Sequence, residues 1–281
     1  MEFKYSLQGV KVPALIYGTA WKEDRTTNLV EKAFSKGFKG VDTACQPKHY
    51  QEDLVGEGLK RAFDSGIARD EIFLQTKFTP LPGQDPNKIP YNPQNSLEDQ
   101  IRESLSTSLT NLKVDYIDSL VIHSPLPTME ETLQAWKTME EFVDQGKVKQ
   151  LGISNCYHPE FFKYLFEVSR IKPAVIQNRL YAQSGYDLEI REFCLDNNIL
   201  YQSFWTLTAN PHILSDSKFI EITELYEQTS AQIFFRYLTQ IGVVPLTGTT
   251  SEVHMKEDLE IFDFKLDDKD LKVIDQLGPL R

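Results

Sequence analysis

The sequence predicts an α/β fold, a (β/α)₈ or TIM barrel with a β-hairpin at its N-terminus and a short C-terminal extension. Short runs of β-branched and aromatic residues alternate with longer helical patterns, which is typical of βαβ units and a parallel sheet. Eight strand-like runs occur in the 281 residues. A barrel of this kind uses about 250 residues as one unit. We therefore expect residues 1–281 to form a single domain.

The predicted strands form a hairpin and a barrel. A lead-in hairpin is expected from Phe3 to Val12, with Gln8-Gly9 at its turn. The barrel strands are short apolar runs, each followed by a polar stretch: Ala14–Thr19, Gly40–Ala44, Ile72–Phe78, Tyr116–His123, Val148–Asn155, Ala174–Leu180, Leu200–Trp205 and Val243–Thr249. Nearly continuous apolar runs such as 117–122 fit a sheet that is covered on both faces.

Helical periodicity separates these strands. In 95–112, Ile101, Leu105 and Leu109 recur at four-residue steps and predict one buried stripe, with Ser96 as the N-cap. A second amphipathic helix is expected over 129–143, and a last one over 266–277.

Two segments bear on the shape of the pocket that a (β/α)₈ barrel carries at the C-terminal ends of its strands. Residues 79–94 contain five prolines and form the third βα loop, which we expect to line the pocket together with Trp21 and Trp205. The chain ends at Arg281, soon after its last helix. We expect no long C-terminal loop over the pocket, and so an open pocket with modest selectivity.

Composition limits the function classes. The formal net charge of −11 argues against binding to nucleic acid or to an anionic membrane surface. Three cysteines without a CxxC pair suggest a reducing compartment, and neither a signal peptide nor a long apolar run is present. A cytoplasmic protein, monomeric or weakly dimeric, is expected. The acidic residues form no cluster near strand ends, so no metal site is predicted.

Polar residues at strand ends mark the candidate site. Active sites of (β/α)₈ barrels lie at the C-terminal ends of the strands. Asp42, Lys77 and His123 fall near the ends of three consecutive predicted strands, and could therefore meet in one pocket.

A set of ordered motifs gives these residues a context. The chain resembles the aldo-keto reductase family over nearly its whole length, through segments whose order and spacing are specific together: 18–22 (GTAWK), 40–44 (GVDTA), 50–56 (YQEDLVG), 76–77 (TK), 115–118 (DYID), 120–123 (LVIH), 152–155 (GISN) and 243–245 (VVP). The resemblance implies an NAD(P)H-dependent reductase of small aldehydes or ketones that acts without a metal.

The resemblance also implies a catalytic tetrad of Asp42, Tyr50, Lys77 and His123. Tyr50 would donate the proton, Lys77 would lower the pKa of the phenol, Asp42 would hold Lys77, and His123 would bind the substrate oxygen. One position departs from the family. The tyrosine usually lies five residues after the aspartate, where this chain has Pro47. His49 rather than Tyr50 holds the usual register when counted back from Gly56, so the loop must bulge.

Cofactor and substrate contacts follow from the same resemblance. Ser154, Asn155 and Gln177 are expected at the nicotinamide carboxamide, because their groups both donate and accept hydrogen bonds. Phe204, with Trp205 beside it, would stack on the ring. The remaining cofactor positions implied are Gly18, Thr19, Asp42, Leu207, Thr247, Gly248, Thr249, His254 and Asp258. The substrate is expected to contact Trp21, Tyr50, His123 and Trp205.

The choice of cofactor is less sharply specified. Leu246 and His254 replace two basic residues that are usual in the family, although Lys256 could compensate. NADP(H) is favoured over NAD(H), with a reduced preference. No Gly-x-Gly-x-x-Gly motif supports a Rossmann domain. Two alternatives stay open: a cofactor-binding regulatory subunit with little turnover, and a barrel enzyme without redox chemistry.

Overall fold

The computed structural model describes residues 1–281 and contains a closed barrel of eight parallel strands. Two further strands, β1 (Phe3–Tyr5) and β2 (Lys11–Pro13), pair antiparallel as a separate hairpin. The barrel strands follow in chain order: β3 (Ile16–Gly18), β4 (Gly40–Asp42), β5 (Phe73–Phe78), β6 (Ile117–Ile122), β7 (Val148–Ser154), β8 (Val175–Arg179), β9 (Leu200–Phe204) and β10 (Val244–Thr247). Each pairs with the next, and β10 pairs with β3 to close the ring.

Eleven α-helices surround or extend the barrel. They are α1 (Thr26–Lys36), α2 (Glu52–Asp64), α3 (Leu97–Leu112), α4 (Met129–Asp144), α5 (Pro159–Val168), α6 (Leu188–Asp196), α7 (Pro211–Leu214), α8 (Ser217–Tyr226), α9 (Ser230–Gln240), α10 (Glu252–Glu260) and α11 (Asp268–Asp275). No helix has both the length and the apolar character that a membrane span requires.

The predicted fold class and hairpin are confirmed. Gly9 stands at the hairpin turn with φ +76°, a conformation that glycine adopts without steric cost. The hydroxyl of Ser96 accepts a hydrogen bond from the backbone N–H of Asp99 at the start of α3, as its N-cap assignment predicts. The last helix is shorter than the predicted 266–277, because only Asp268–Asp275 keeps helical geometry.

Close packing between neighbouring helices fixes the position of α2, which follows the loop that contains Tyr50. Gly56 faces α3 so closely that a Cβ atom there would lie 1.9 Å from the carbonyl oxygen of Asn111. A side chain at this position would push the two helices apart. The glycine thereby permits the close approach of α2 to α3.

Candidate active site

A cavity of about 810 Å³ opens at the C-terminal ends of the barrel strands. It extends from Asp42 at the barrel centre to Asp258 on α10. A volume in this range is typical of small-molecule and cofactor sites. Three residues with positive φ, Trp21 (61°), Asn155 (53°) and Trp205 (55°), stand on its wall. Such strained backbone outside glycine concentrates at functional sites.

A buried ion pair lies at the floor of this cavity. Lys77 Nζ is 2.5 Å from Asp42 Oδ2 and also donates to the backbone oxygen of Thr43 at 2.9 Å. Both charged side chains are under 5% exposed. Burial lowers the pKa of Lys77, and the Asp42 carboxylate opposes that shift. A desolvated pair such as this is costly to break, because removing one partner leaves the other charge unpaired.

Two buried glutamine amides contact the Asp42 carboxylate, and a third links them. Gln75 Nε2 and Gln177 Nε2 donate to Asp42 Oδ1 at 2.8 and 3.0 Å. Both amides also donate to Gln202 Oε1, at 2.7 and 2.9 Å, and Gln202 Nε2 donates back to Gln75 Oε1 at 3.2 Å. The carboxylate is therefore held by neutral donors on one oxygen and by an ammonium on the other.

Tyr50 reaches the cavity through a hydrogen-bonded turn. The backbone N–H groups of His49 and Tyr50 both donate to the carbonyl oxygen of Gln46, and this turn takes up the extra residues of the loop. The Tyr50 ring lies 5.4 Å from Lys77 Nζ and 5.9 Å from the His123 ring. His49 also lines the cavity, with its ring 3.8 Å from that of Trp21.

The electrostatic effect on Tyr50 differs from the expectation. Burial raises the pKa of the phenol, and the Asp42 charge raises it further. The net shift is therefore upward, opposite to the lowering predicted from the Lys77 ammonium, because desolvation and a carboxylate both disfavour the phenolate. The phenol therefore stays protonated, and a protonated phenol can act as a proton donor.

His123 is held neutral and oriented by one hydroxyl. Burial, with the Lys77 charge second, depresses the pKa of the imidazole well below its usual value. Thr79 Oγ1 is 2.6 Å from His123 Nδ1, and Asn155 Nδ2 donates to the His123 carbonyl oxygen at 2.8 Å. This hydrogen bond orients the ring through Nδ1 and leaves Nε2 for a ligand.

The amide and hydroxyl groups predicted to contact the nicotinamide carboxamide lie together on neighbouring strands. Ser154, Asn155 and Gln177 all line the cavity, and Ser154 is opposite Gln177 in the β7–β8 register. Phe204 and Trp205 line the same cavity at the end of β9.

The far end of the cavity carries one lysine that the sequence analysis left without a role. The Lys22 ammonium donates to the Gly248 carbonyl oxygen. Burial, with Arg25 second, lowers the pKa of Lys22 to about 8. Lys256, offered as a compensating cation, instead forms an exposed ion pair with Glu260 and does not line the cavity.

Two acidic residues also stand at this end. Thr247 Oγ1 donates to Asp258 Oδ2 at 2.6 Å. Burial raises the pKa of Asp258 to about 6. Glu257 precedes it and lines the cavity as well. Carboxylates in this position disfavour a second anion such as a phosphate group.

Almost all the residues predicted for the site line this one cavity. The exceptions are Lys77, which lies behind Tyr50, and Thr19, whose hydroxyl donates to the Asp42 carbonyl oxygen at 2.9 Å. Those that line it are Gly18, Trp21, Asp42, Tyr50, His123, Ser154, Asn155, Gln177, Phe204, Trp205, Leu207, Thr247, Gly248, Thr249, His254 and Asp258.

The proline-rich loop has a different role from the one predicted. None of residues 79–94 lines the cavity, so the expectation that this loop forms much of its wall is wrong. The loop instead braces the segment that carries Tyr50. Gln84 Nε2 donates to the Cys45 carbonyl oxygen at 3.0 Å, and Gln46 Nε2 donates to that of Gly83 at 2.8 Å.

Sequence reasoning also missed residues that line the cavity or contact the predicted site residues. Arg179 ends β8 two residues after Gln177, and strand alternation alone would have put both side chains on one face. Lys22 belongs to a segment already noted as a motif. Thr79 and Gln202 carried no such signal, because their partners are distant in sequence.

Comparison with known proteins agrees with this architecture. The cavity lies at the C-terminal mouth of the barrel, where the active sites of (β/α)₈ enzymes lie. The model of the Aldo/keto reductase family matches residues 14–279, and the chain belongs to this family.

Among curated relatives, methylglyoxal reductase DkgA of Yersinia pestis is 29% identical over 271 residues, covering 96% of this chain and 90% of the relative. Glyoxal reductase of Bacillus subtilis is 28% identical over 272 residues, covering 96% and 90%. Among solved structures, an aldo/keto reductase from Brucella melitensis has a TM-score of 0.83 at 27% identity, covering 99% of each chain.

Proposed function

We propose that this protein reduces the carbonyl group of a small aldehyde or ketone to an alcohol, with NADPH or NADH as reductant. The observation that carries the proposal is the meeting of a buried Asp42–Lys77 pair, a protonated Tyr50 and a neutral His123 at one cavity floor. The reductase names of the relatives support the same reaction class.

The residues along the cavity fit a nicotinamide dinucleotide. At the floor, Ser154, Asn155 and Gln177 offer the mixed donors and acceptors that a carboxamide needs, and Phe204 offers an aromatic face. At the far end, the Lys22 ammonium beside Gly248 offers a cation for a diphosphate. The bound reduced nicotinamide would supply the hydride.

The side chains of the chain itself handle the substrate oxygen. With the Thr79 hydroxyl donating to Nδ1, His123 would carry its proton on Nε2 and donate it to the carbonyl oxygen. Tyr50 would then pass its hydroxyl proton to that oxygen as negative charge develops there. The nearby Lys77 ammonium, fixed by Asp42, would stabilise the phenolate that remains.

The cofactor preference should be small. Leu246 brings no charge to the cavity, His254 is exposed, and Glu257 and Asp258 oppose an added phosphate. Lys22 is the one lysine that lines the cavity, and on the diphosphate it would serve both cofactors alike, so the preference for NADPH is kept only as the family resemblance implies it. We propose that NADPH is used with a modest preference over NADH.

The test follows loss of reduced cofactor with methylglyoxal, glyoxal and aromatic aldehydes. Tyr50→Phe removes one oxygen atom and should cut turnover by roughly a hundredfold or more, the usual scale for a lost general acid. Cofactor binding, followed by quenching of tryptophan fluorescence, should stay near that of the wild type.

The control is His49→Phe, which keeps a ring against Trp21 and should retain most of the activity. If His49→Phe abolishes turnover while Tyr50→Phe is nearly silent, the assignment of the proton donor is wrong. Tight cofactor binding without turnover of any aldehyde would indicate a regulatory subunit. Absence of any cofactor binding would indicate a non-redox barrel enzyme.

A further inference from the structure

Arg179 places a guanidinium at the mouth of the cavity, directly above the predicted carboxamide site. Gln177 and Arg179 both line the cavity, whereas Asn178 between them points away and donates to Asp187 Oδ2 at 2.7 Å. Two residues along a strand advance about 6.6 Å. Arg179 thus stands one step beyond Gln177, towards the entrance through which a substrate would pass.

The guanidinium has no polar partner in the protein. Its Nε is buried without a hydrogen-bond acceptor, and no carboxylate oxygen lies within 4.0 Å of its nitrogens. Six of the other eight arginines have a carboxylate at that distance, and only Arg25 and Arg191 share its absence; the six are Arg61, Arg69, Arg102, Arg170, Arg236 and Arg281. A partly buried cation without a partner is costly, and an anionic ligand would remove that cost.

Aromatic rings hold the guanidinium in place without using its donors. Its central carbon lies 4.4 Å from the Trp205 ring centroid and 5.2 Å from that of Tyr181. Stacking engages the faces of the planar group and leaves its N–H fork free for bidentate recognition of a carboxylate.

The carboxylates already on the cavity wall do not satisfy this fork. Asp42 is committed to Lys77 at the floor, and Asp258 accepts from Thr247 at the far end. Glu257 adjoins Asp258 on α10, at that same far end. The arginine therefore faces the substrate side of the cavity as an unpaired positive charge.

We propose that the preferred substrates carry a carboxylate, so that they are aldehydo or oxo acids, and that Arg179 binds this group. The inference rests on the proposed reductase function and specifies its substrate class. The carbonyl carbon would gain the hydride, its oxygen would gain the Tyr50 proton, and the carboxylate would pass unchanged into a hydroxy acid.

The experiment compares 4-carboxybenzaldehyde with its neutral methyl ester. Wild-type kcat/KM should be at least tenfold higher for the acid, with the difference in KM, and this preference should shrink as salt is added. Arg179→Met keeps an apolar stem against Trp205. It should lower kcat/KM for the acid by tenfold or more and alter that for the ester less than threefold.

Arg170→Met is the matched control, because it removes the same charge from an exposed site on the protein surface. It should leave the preference for the acid intact. A second readout needs no turnover: 4-methylbenzoate should compete with the ester in the wild-type holoenzyme and fail to compete in Arg179→Met.

The outcomes separate the two proposals. If the ester is reduced as well as the acid, and Arg179→Met changes neither, the carboxylate assignment fails while the reductase function stands. If Arg179→Met raises the KM for NADPH and spares the acid preference, the guanidinium holds the cofactor and the assignment also fails. If the wild type reduces neither compound nor any other aldehyde, the reductase proposal itself fails.

Discussion

Asp258 should destabilise the folded protein at neutral pH. Its carboxyl is 3% exposed, and burial raises its pKa from 3.8 to about 6. The folded state therefore binds this proton more tightly than the unfolded state does, so stability falls as the pH rises from about 4 to about 6 and the cost is fully present above that range. The difference of about two pKa units corresponds to at most ~3 kcal/mol.

Replacing the carboxylate by a neutral amide should remove this cost. In Asp258→Asn the amide oxygen can still accept from Thr247, so we expect the free energy of unfolding to rise by ~1–2 kcal/mol at pH 7.5. At pH 4, where the folded wild type is already protonated, the gain should vanish.

Chemical denaturation of both proteins across this pH range measures the effect. The control is Asp263→Asn, which makes the same charge change at an exposed site just after α10. It should shift stability little at either pH. The quantity compared is the free energy of unfolding of Asp258→Asn minus that of the wild type. If this difference is negative at pH 7.5 and smaller in size at pH 4, the carboxylate stabilises the fold and the reasoning is refuted.

Two further predictions concern the site. Thr79→Val removes the hydroxyl 2.6 Å from His123 Nδ1 and should lower kcat about tenfold with little change in the melting temperature. Thr79→Ser keeps the hydroxyl and should preserve kcat. Equal kcat values for the wild type and both variants would contradict the orienting role. Leu246→Lys should raise the ratio of kcat/KM for NADPH over NADH by about tenfold, or ~1.4 kcal/mol. A wild-type ratio beyond about a thousandfold would mean that another residue holds the phosphate, and Leu246→Lys would then add little.

The barrel could be predicted because its signals are local. Ser96 caps α3 through a hydrogen bond to a residue three positions away, and periodicity within each segment distinguishes strand from helix. The tetrad positions followed from ordered motifs at strand ends. Tyr50 was chosen for its phenol, and the structure places that ring beside His123 in spite of the unusual spacing.

What the sequence did not reveal depends on contacts between distant parts of the chain. Gln75 and Gln202 meet across the barrel although they are 127 residues apart. The raised pKa of Tyr50 comes first from desolvation, which depends on packing that no motif records. The proline-rich loop was expected in the cavity wall, but its contacts with Cys45 and Gln46 place it behind the tyrosine instead.

The amide cluster around Asp42 also determines the orientation of the Gln177 side-chain oxygen. A carboxylate repels an amide oxygen, so the charge on Asp42 dictates that Gln177 turns its NH₂ group inward. The Gln177 oxygen must then face the opposite way, as a fixed acceptor. A single buried charge thus sets the hydrogen-bonding polarity of the barrel floor, and the NH₂ edge of a carboxamide would match it where the oxygen edge would not. The residues of the barrel floor would in this way fix the orientation of a bound carboxamide before any substrate binds.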